Sequence, residues 1–475
     1  MSVTAGSDQD AAPKGLITVL FTGVFMAALD TAIVGPAIPV LRETFGVDNR
    51  TVGLVMSVFV LFSLCSTALM ANLSDRLGRR PVYLFSVSVF AIGSLLIALS
   101  PSFWMVIASR AIQGIGAGGI TPTASAVVGD MFKPAQRGKM LGLIGATYGM
   151  AFVLGPPLAS GLMLISSWHW IFLLNLPIAA VILYLGAKVL PNKRTNAAQH
   201  RLDLSGIALT FSLLAALVLG ITRVLDPLLA PLLGMSLWPW LLLLVAVLLA
   251  LLVLVESRTK SPLIPIFLFK NRQLATTYLL AVGAGFGMGS VIFLTSIATH
   301  GYGVTAKNAG FVLLPLVLCS MLGSGGGGRL LNRLGPRSMI LLGFGNLALG
   351  YGLSAITGYG LWLFLLAGVP VGLGIGIVVG GALRSIAIDE APVAVRAAAQ
   401  GLINICTAIG TLVAAASISA IADLAGGGTS GFGRAYDVVA ALMLAMLFIA
   451  LALRKKSAAV PQPRGSSPTS SLPTR

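Results

Sequence analysis

The residue in this chain best placed to do chemistry is Asp30, inside "FMAALDTAIVGPAIP" (25 to 39), a stretch in which nothing else is charged from Gly15 to Leu41. A carboxylate at the centre of a bilayer costs roughly 2.5–3.5 kcal/mol, so a chain that keeps one there is expected to use it. Of fourteen acids, Asp30 is the one that hydropathy sets deep within an apolar span. A solitary buried carboxyl can load and release a proton, because desolvation favours the neutral acid while a nearby cation favours the carboxylate. One such cation, Arg110, stands in "RAIQGIGAGG", inside another apolar span. Spacing leaves three readings of it open: a fixed ion pair with Asp30, a transient one, or an arginine that satisfies backbone carbonyls or reaches outward.

A second charged group is "SDRLGRRP" (74 to 81), with Asp75, Arg76, Gly78, Arg79 and Arg80 in a short link between spans and Asp130 at the end of another span. Basic residues alone could serve topology, but the aspartate suggests an ion network that forms in one conformational state and not in another. Other apparent motifs carry no chemistry. "GIGAGG" (114 to 119) matches a dinucleotide fingerprint but lies within an apolar span after no strand, and there is no G-x-x-x-x-G-K-[ST]. His169, His200 and His300 form no metal-spaced set, and Cys65, Cys319 and Cys406 lie apart within apolar spans as small core residues. No nucleophile is paired with a base, so an enzyme is not expected.

The elements that must hold Asp30 and Arg110 are membrane helices. Of 475 residues, 57% are hydrophobic and 9% charged, with a mean hydropathy of +0.96. Apolar runs of about 18 residues or more, each able to cross a hydrocarbon core, recur along the whole sequence. The net charge of +17 would suit a polyanion, yet alternating the loops between two faces puts 25 Lys/Arg on the face of "SDRLGRRP" and five on the other. By the positive-inside rule the rich face is cytoplasmic, and lipid headgroups suffice as its partner without nucleic acid. The polar, acid-bearing start does not resemble a cleaved signal peptide. Pro36, Pro39, Pro122, Pro156, Pro157 and Pro315 interrupt spans and are expected to bend them.

Fourteen spans are expected, both termini being cytoplasmic. An internal repeat organises them: "LSDRLGRRP" (73 to 81) returns as "LLNRLGPRS" (330 to 338), an offset of 257 residues, and "RGKMLG" and "RAAAQG" are related by 259. Parallel repeats of this kind form the halves of many secondary transporters. The organisation expected is a cytoplasmic tail (1 to 14), a six-helix half (15 to 190), two extra helices at 203 to 222 and 236 to 255 within a linker region (191 to 273), a second six-helix half (274 to 453) and a disordered tail (454 to 475).

With these residues the chain resembles the major facilitator transporters, and within them the fourteen-helix drug:proton antiporters of the EmrB/QacA type. "ANLSDRLGRR" is similar to the signature after the second span, with Ala71 where glycine is usual. "RAIQGIGAGG" resembles the fourth-span motif through Arg110, Gln113, Gly114 and Gly116. "GPPLAS" resembles the antiporter motif through Gly155 and Pro156, with Ala159 and Ser160 in place of two glycines. "WHWIFLLNLP" (168 to 177) and the Asp30 stretch resemble two further motifs of that branch, the former with His169 in place of arginine.

The resemblance implies an all-α integral membrane protein with the major facilitator fold, two six-helix halves plus two central helices. It implies that Asp30 couples a proton gradient to export of small amphiphilic or lipophilic compounds, cationic or neutral, by alternating access. Arg110 is then a cavity-facing tuner of the proton site, and Asp75 part of a cytoplasmic gate. Phe25, Met26, Gln113, Tyr148, Phe152, Phe286, Met288 and Phe293 lie on spans expected to line the central cavity, where Met and aromatic side chains suit an adaptable pocket and equally suit plain packing. No cofactor or metal is expected, and the partners are substrate, protons and lipid, for a monomer in the inner (cytoplasmic) membrane of a bacterium. The alternatives are an exporter dedicated to an endogenous metabolite, siderophore or lipid, and a non-transporting sensor on a transporter fold.

Overall fold

The computed structural model describes residues 15–132, 134–190, 203–222, 236–259, 266–356, 360–391 and 396–454, and all regular structure among them is helical. The expected tails, apart from Arg454, lie outside the described residues, as do 191 to 202, 223 to 235 and 260 to 265 of the linker region. Among the described residues, eleven helical segments are long and apolar enough to cross a membrane.

The first half comprises α1 (Leu16–Phe45), α2 (Asn49–Leu77), α3 (Arg79–Ala98), α4 (Phe103–Met131), α5 (Pro134–Ile165), α6 (His169–Leu173) and α7 (Asn175–Val189). Next come α8 (Leu204–Thr222) and α9 (Trp238–Arg258). The second half comprises α10 (Arg272–Ser290), α11 (Leu294–Tyr302), α12 (Leu314–Ala355), α13 (Leu361–Ile377), α14 (Leu383–Glu390), α15 (Arg396–Leu424) and α16 (Gly428–Ala450). The 29-residue α4 falls outside the eleven because Arg110, Gln113 and its glycines dilute an apolar stretch, and α13 because it is short and runs through a π-helical turn, Val378–Ala382, into α14.

Local chemistry accounts for the breaks. Gly78 (φ 104°) separates α2 from α3, and its repeat partner Gly335 (φ 77°) sits at a sharp kink within α12, so both copies turn at the glycine of the repeated motif. Only a residue without Cβ adopts such angles at little cost. Pro36 and Pro39, Pro122, and Pro156 with Pro157 stay inside continuous helices. Pro315 differs from the expectation: it stands in the first turn of α12, where a missing N–H breaks no helical hydrogen bond. Asp48 caps α2 by accepting from the Thr51 N–H at 2.8 Å, and α1 runs on to Phe45, well past the apolar run, with Arg42 in its last turn.

Two large cores and a smaller one beside α8 fill the described residues. At the Asp75 end, residues 16 to 27, 83 to 90, 117 to 132 and 179 to 190 supply a core belonging to the first half alone. At the opposite end, Ile33, Val34, Ile38 and Leu41 of α1 share one core with the second half, including Phe293, Leu294 and Leu316. Here α2 lies along α15, and α1 and α5 meet the segments that flank α11. The extra pair packs as a hairpin, α8 seated against α2 and α15 and α9 against α8, its other residues largely exposed as a lipid-facing helix requires.

Candidate functional site

Asp30 and Arg110 come together. Both are 0% exposed, and Arg110 Nη1 donates to Asp30 Oδ2 at 2.6 Å. Arg110 also donates through Nε to the Val55 carbonyl at 3.1 Å and through Nη1 to Gln113 Oε1 at 2.5 Å, while its guanidinium lies 4.0 Å over the Phe59 ring. The fixed-pair reading is the one this conformation adopts. A buried pair is stable only when its remaining polar atoms also find partners, and here they do so on one side. Asp30 Oδ1 accepts from Gln113 Nε2 at 2.8 Å and from Asn175 Nδ2 at 3.1 Å. Both amides also donate to Ser94 Oγ, at 2.8 and 3.2 Å, and Ser94 itself donates to the Phe90 carbonyl at 3.0 Å. Two buried atoms in this cluster have no protein partner, Arg110 Nη2 and Asn175 Oδ1.

Five helices assemble the cluster because small residues let them approach. A Cβ on Gly93 would stand 2.6 Å from the Gln113 backbone nitrogen, so the glycine lets α3 bring Ser94 within reach of Gln113. A Cβ on Gly155 would stand 2.5 Å from the Ala32 methyl group, so the antiporter-like motif presses α5 onto α1 two residues beyond Asp30. Asn175 reaches the cluster through a helix break. Pro177 cannot donate to the carbonyl one turn earlier, the helical hydrogen-bond pattern is interrupted at Leu174 although its backbone angles (φ −55°, ψ −32°) stay helical, and α7 begins with Asn175 buried.

Gln113 was expected among substrate contacts and is instead fully buried as a ligand of Asp30 and Arg110. Met26 is fully buried in the core of the first half, and Phe293 is fully buried near Phe432. Phe286 is buried, Phe25 and Met288 are half-buried, and the side chains of Tyr148 and Phe152 lie outside the described residues. A cavity of about 380 Å³ opens elsewhere, between α2 and α8, lined by Phe62, Cys65, Ser66, Leu69, Leu204 and Phe211 among others. None of the expected substrate contacts lines it.

The charged link forms its network. Arg79 donates through Nε to Asp130 Oδ2 at 2.8 Å and through Nη1 to Asp75 and to Ser74 Oγ, the last at 3.1 Å. Arg79 is buried and both carboxylates are partly exposed; Arg80 is half-buried and Arg76 exposed. All three partners belong to the first half. The network stands formed in this conformation, and the cross-half hydrogen bonds of Asp423, Ser160 and Thr295 lie towards the other end.

Those cross-half bonds were not legible in the sequence. Asp423, at the end of α15, accepts from Asn49 Nδ2 at 2.7 Å and from the Arg50 N–H at 2.8 Å, with Arg50 Nε 3.5 Å away. Gly310 donates to Ser160 Oγ at 2.9 Å, the serine standing where the resembling motif has glycine, and Thr295 donates to the Gly35 carbonyl at 2.9 Å. Ser94 carries no sequence signal at all, whereas Asn175 had one, an amide in an apolar run two residues before a proline. Glu256, at the end of α9, is a second buried acid that the span boundaries had left outside.

Comparison with known proteins agrees with this architecture. A family model described as Major Facilitator Superfamily matches residues 20–415. The chain is 34% identical over 412 residues to the MFS-type transporter YfiU of Bacillus subtilis (strain 168), covering 86% of this chain and 79% of that one. It is 30% identical over 342 residues to Multidrug resistance protein 3 of the same organism, covering 70% of this chain and 64% of the relative. Among solved structures, the nucleoside transporter NupG superposes with a TM-score of 0.68 at 15% identity, over 93% of this chain and all of the other, a likeness of fold.

Proposed function

The chain belongs to the Major Facilitator Superfamily, and from that premise we propose that it is a fourteen-span, proton-coupled antiporter that exports small amphiphilic or lipophilic compounds. Fourteen spans follow by adding α4, α5 and the α13–α14 unit to the eleven apolar segments. Both termini then lie on the Lys/Arg-rich face, towards the cytoplasm, in a bacterial inner membrane. Multidrug substrates are supported by the name of the relative at 30% identity.

The observation that carries the reading is the sealed Asp30–Arg110 pair with its two amides. A charged pair without exposure has no solvent to screen it, so adding one proton to Asp30 cancels the attraction that holds Arg110. The freed arginine and the neutral acid favour a different packing of α1 against α4, which is the two-state element alternating access needs. Substrate does not have to touch Asp30 in this state. It competes through the helices that hold it.

In this topology the cross-half bonds at Asp423, Ser160 and Thr295 close the outer side, and exposed Arg384 and Asn404 mark the cytoplasmic approach, so the conformation is read as facing the cytoplasm. The Asp75–Arg79–Asp130 network serves as the cytoplasmic clamp of the first half, keeping α2, α3 and α4 moving together.

The test is efflux of a fluorescent lipophilic cation from cells expressing wild type or Asp30→Asn at matched levels, with and without a protonophore. Protonophore-sensitive efflux in the wild type and its loss in the variant are expected. Unchanged efflux in the variant would overturn the coupling role of Asp30.

A further inference from the structure

The proton site poses a hydrogen-bonding problem that one side chain solves. Every partner of Asp30 in this structure is a donor: Arg110 on Oδ2, Gln113 and Asn175 on Oδ1. That arrangement suits the carboxylate. Once protonated, the acid becomes a donor itself and needs an acceptor, and a buried O–H left without one is costly.

The surroundings restrict where that acceptor can come from. Arg110 has no acceptor atom, so a proton on Oδ2 would face N–H groups; Oδ1 is the oxygen to be protonated. Gln113 cannot turn over, because its Oε1 is engaged by Arg110 Nη1 and turning would set two donors against each other. Ser94 already accepts from both amides and donates to Phe90. Asn175 differs: its Oδ1 is buried and has no protein partner, while its Nδ2 sits 3.1 Å from Asp30 Oδ1 and 3.2 Å from Ser94 Oγ. A half-turn about its terminal torsion exchanges the two ends in place, putting the oxygen where the nitrogen stood.

Resting on the proton-coupled reading above, we propose that Asn175 is a positioning residue whose side-chain amide turns over with the protonation state of Asp30, donating to the carboxylate through Nδ2 and accepting from the protonated acid through Oδ1. In the step itself a proton from the aqueous gradient bonds to Asp30 Oδ1, and no other covalent bond changes. The charged group facing Asp30 is Arg110, from α4; α2 presents the Val55 carbonyl and Phe59 to that arginine, α3 presents Ser94, α5 the Gly155 backbone beside Ala32, and α7 Asn175. An amide that can donate or accept gives Asp30 a partner in either protonation state, the Ser94 hydroxyl turning from the Phe90 carbonyl to donate to the Asn175 oxygen that then faces it.

Infrared difference spectroscopy of the full chain in lipid, titrated across the pH range in which it transports, tests this. In the wild type a protonated-carboxyl C=O band is expected to appear on acidification and to be absent from Asp30→Asn. With carbon-13 asparagine, a side-chain amide C=O band is expected to change in the same titration. In Asn175→Leu the amide change should vanish and the carboxyl band should move to higher frequency, as for an acid whose O–H has lost its acceptor. A wild type with no Asp30 band anywhere in that range would sink the coupling reading and this proposal with it. A carboxyl band unmoved by Asn175→Leu would overturn the Asn175 proposal alone. Should that variant fail to fold, the labelled wild type still decides: a titrating carboxyl with no asparagine amide change overturns it.

Discussion

At the offset of 257 residues that relates the two halves, Asp30 corresponds to Gly287 and Ser94 to Tyr351. In the first half these positions belong to a cluster of a carboxylate, a guanidinium, two amides and a hydroxyl. In the second, the Tyr351 hydroxyl donates to the Gly287 carbonyl, and nearby Tyr436 donates to that of Ser290. The links between helices diverge in the same way. Asp75, Gly78 and Arg79 correspond to Asn332, Gly335 and Pro336: the turn-forming glycine is shared, and both members of the Asp75–Arg79 ion pair are replaced. One backbone plan thus serves two tasks. The first half holds a buried pair of opposite charges, while the second closes its equivalent contacts with hydrogen bonds between neutral groups.

The comparison breaks most sharply at the buried pair. Asp30→Ala leaves Arg110 with an uncompensated charge, so a loss of about 3–5 kcal/mol is expected in thermal unfolding in lipid or detergent, together with loss of proton-driven efflux. Next in size is Arg79→Ala, which strands two partly exposed carboxylates. About 1–2 kcal/mol is expected, with roughly a tenfold change in the balance of cytoplasm-facing and outward-facing states, read by cross-linking of cysteine pairs placed across the halves.

The second half should respond more mildly. Tyr351→Phe removes one neutral hydrogen bond, for about 1 kcal/mol of stability, and leaves efflux and its protonophore sensitivity unchanged. If efflux in that variant loses its proton dependence, the division of labour between the halves is wrong. The smallest effect is expected from Asn332→Asp, which restores the acid of the repeated motif in a sequence that has Pro336 where the first copy has Arg79. A change within about 0.5 kcal/mol and unaltered state balance would show that the acid alone does not make the clamp.

Membrane helices and an Asp30 buried at membrane depth were legible in the sequence. Each depends on composition, period or a single residue whose cost in lipid is independent of its neighbours. Asp75, Arg79 and Asp130 were legible as a charged group because they crowd the ends of adjacent spans. Their restriction to one half was not, since a gate and a clamp need the same residue types. Gln113 shows the same limit within one motif: its position in α4 was recognisable, but an amide can serve substrate or carboxylate, and only the packing of α1 against α4 assigned it.

What the sequence determined by itself was that a charge lies at membrane depth among apolar helices, because both follow from transfer energies read residue by residue. What only the tertiary structure decided was the charge's company: Arg110 in direct contact, Gln113 and Asn175 as its amide ligands, Ser94 as their anchor, and Asp423 joining the halves at the far end. These contacts bridge separations of up to 374 residues. Their geometry depends on how closely glycine and alanine let helices approach, which no local pattern in the chain encodes.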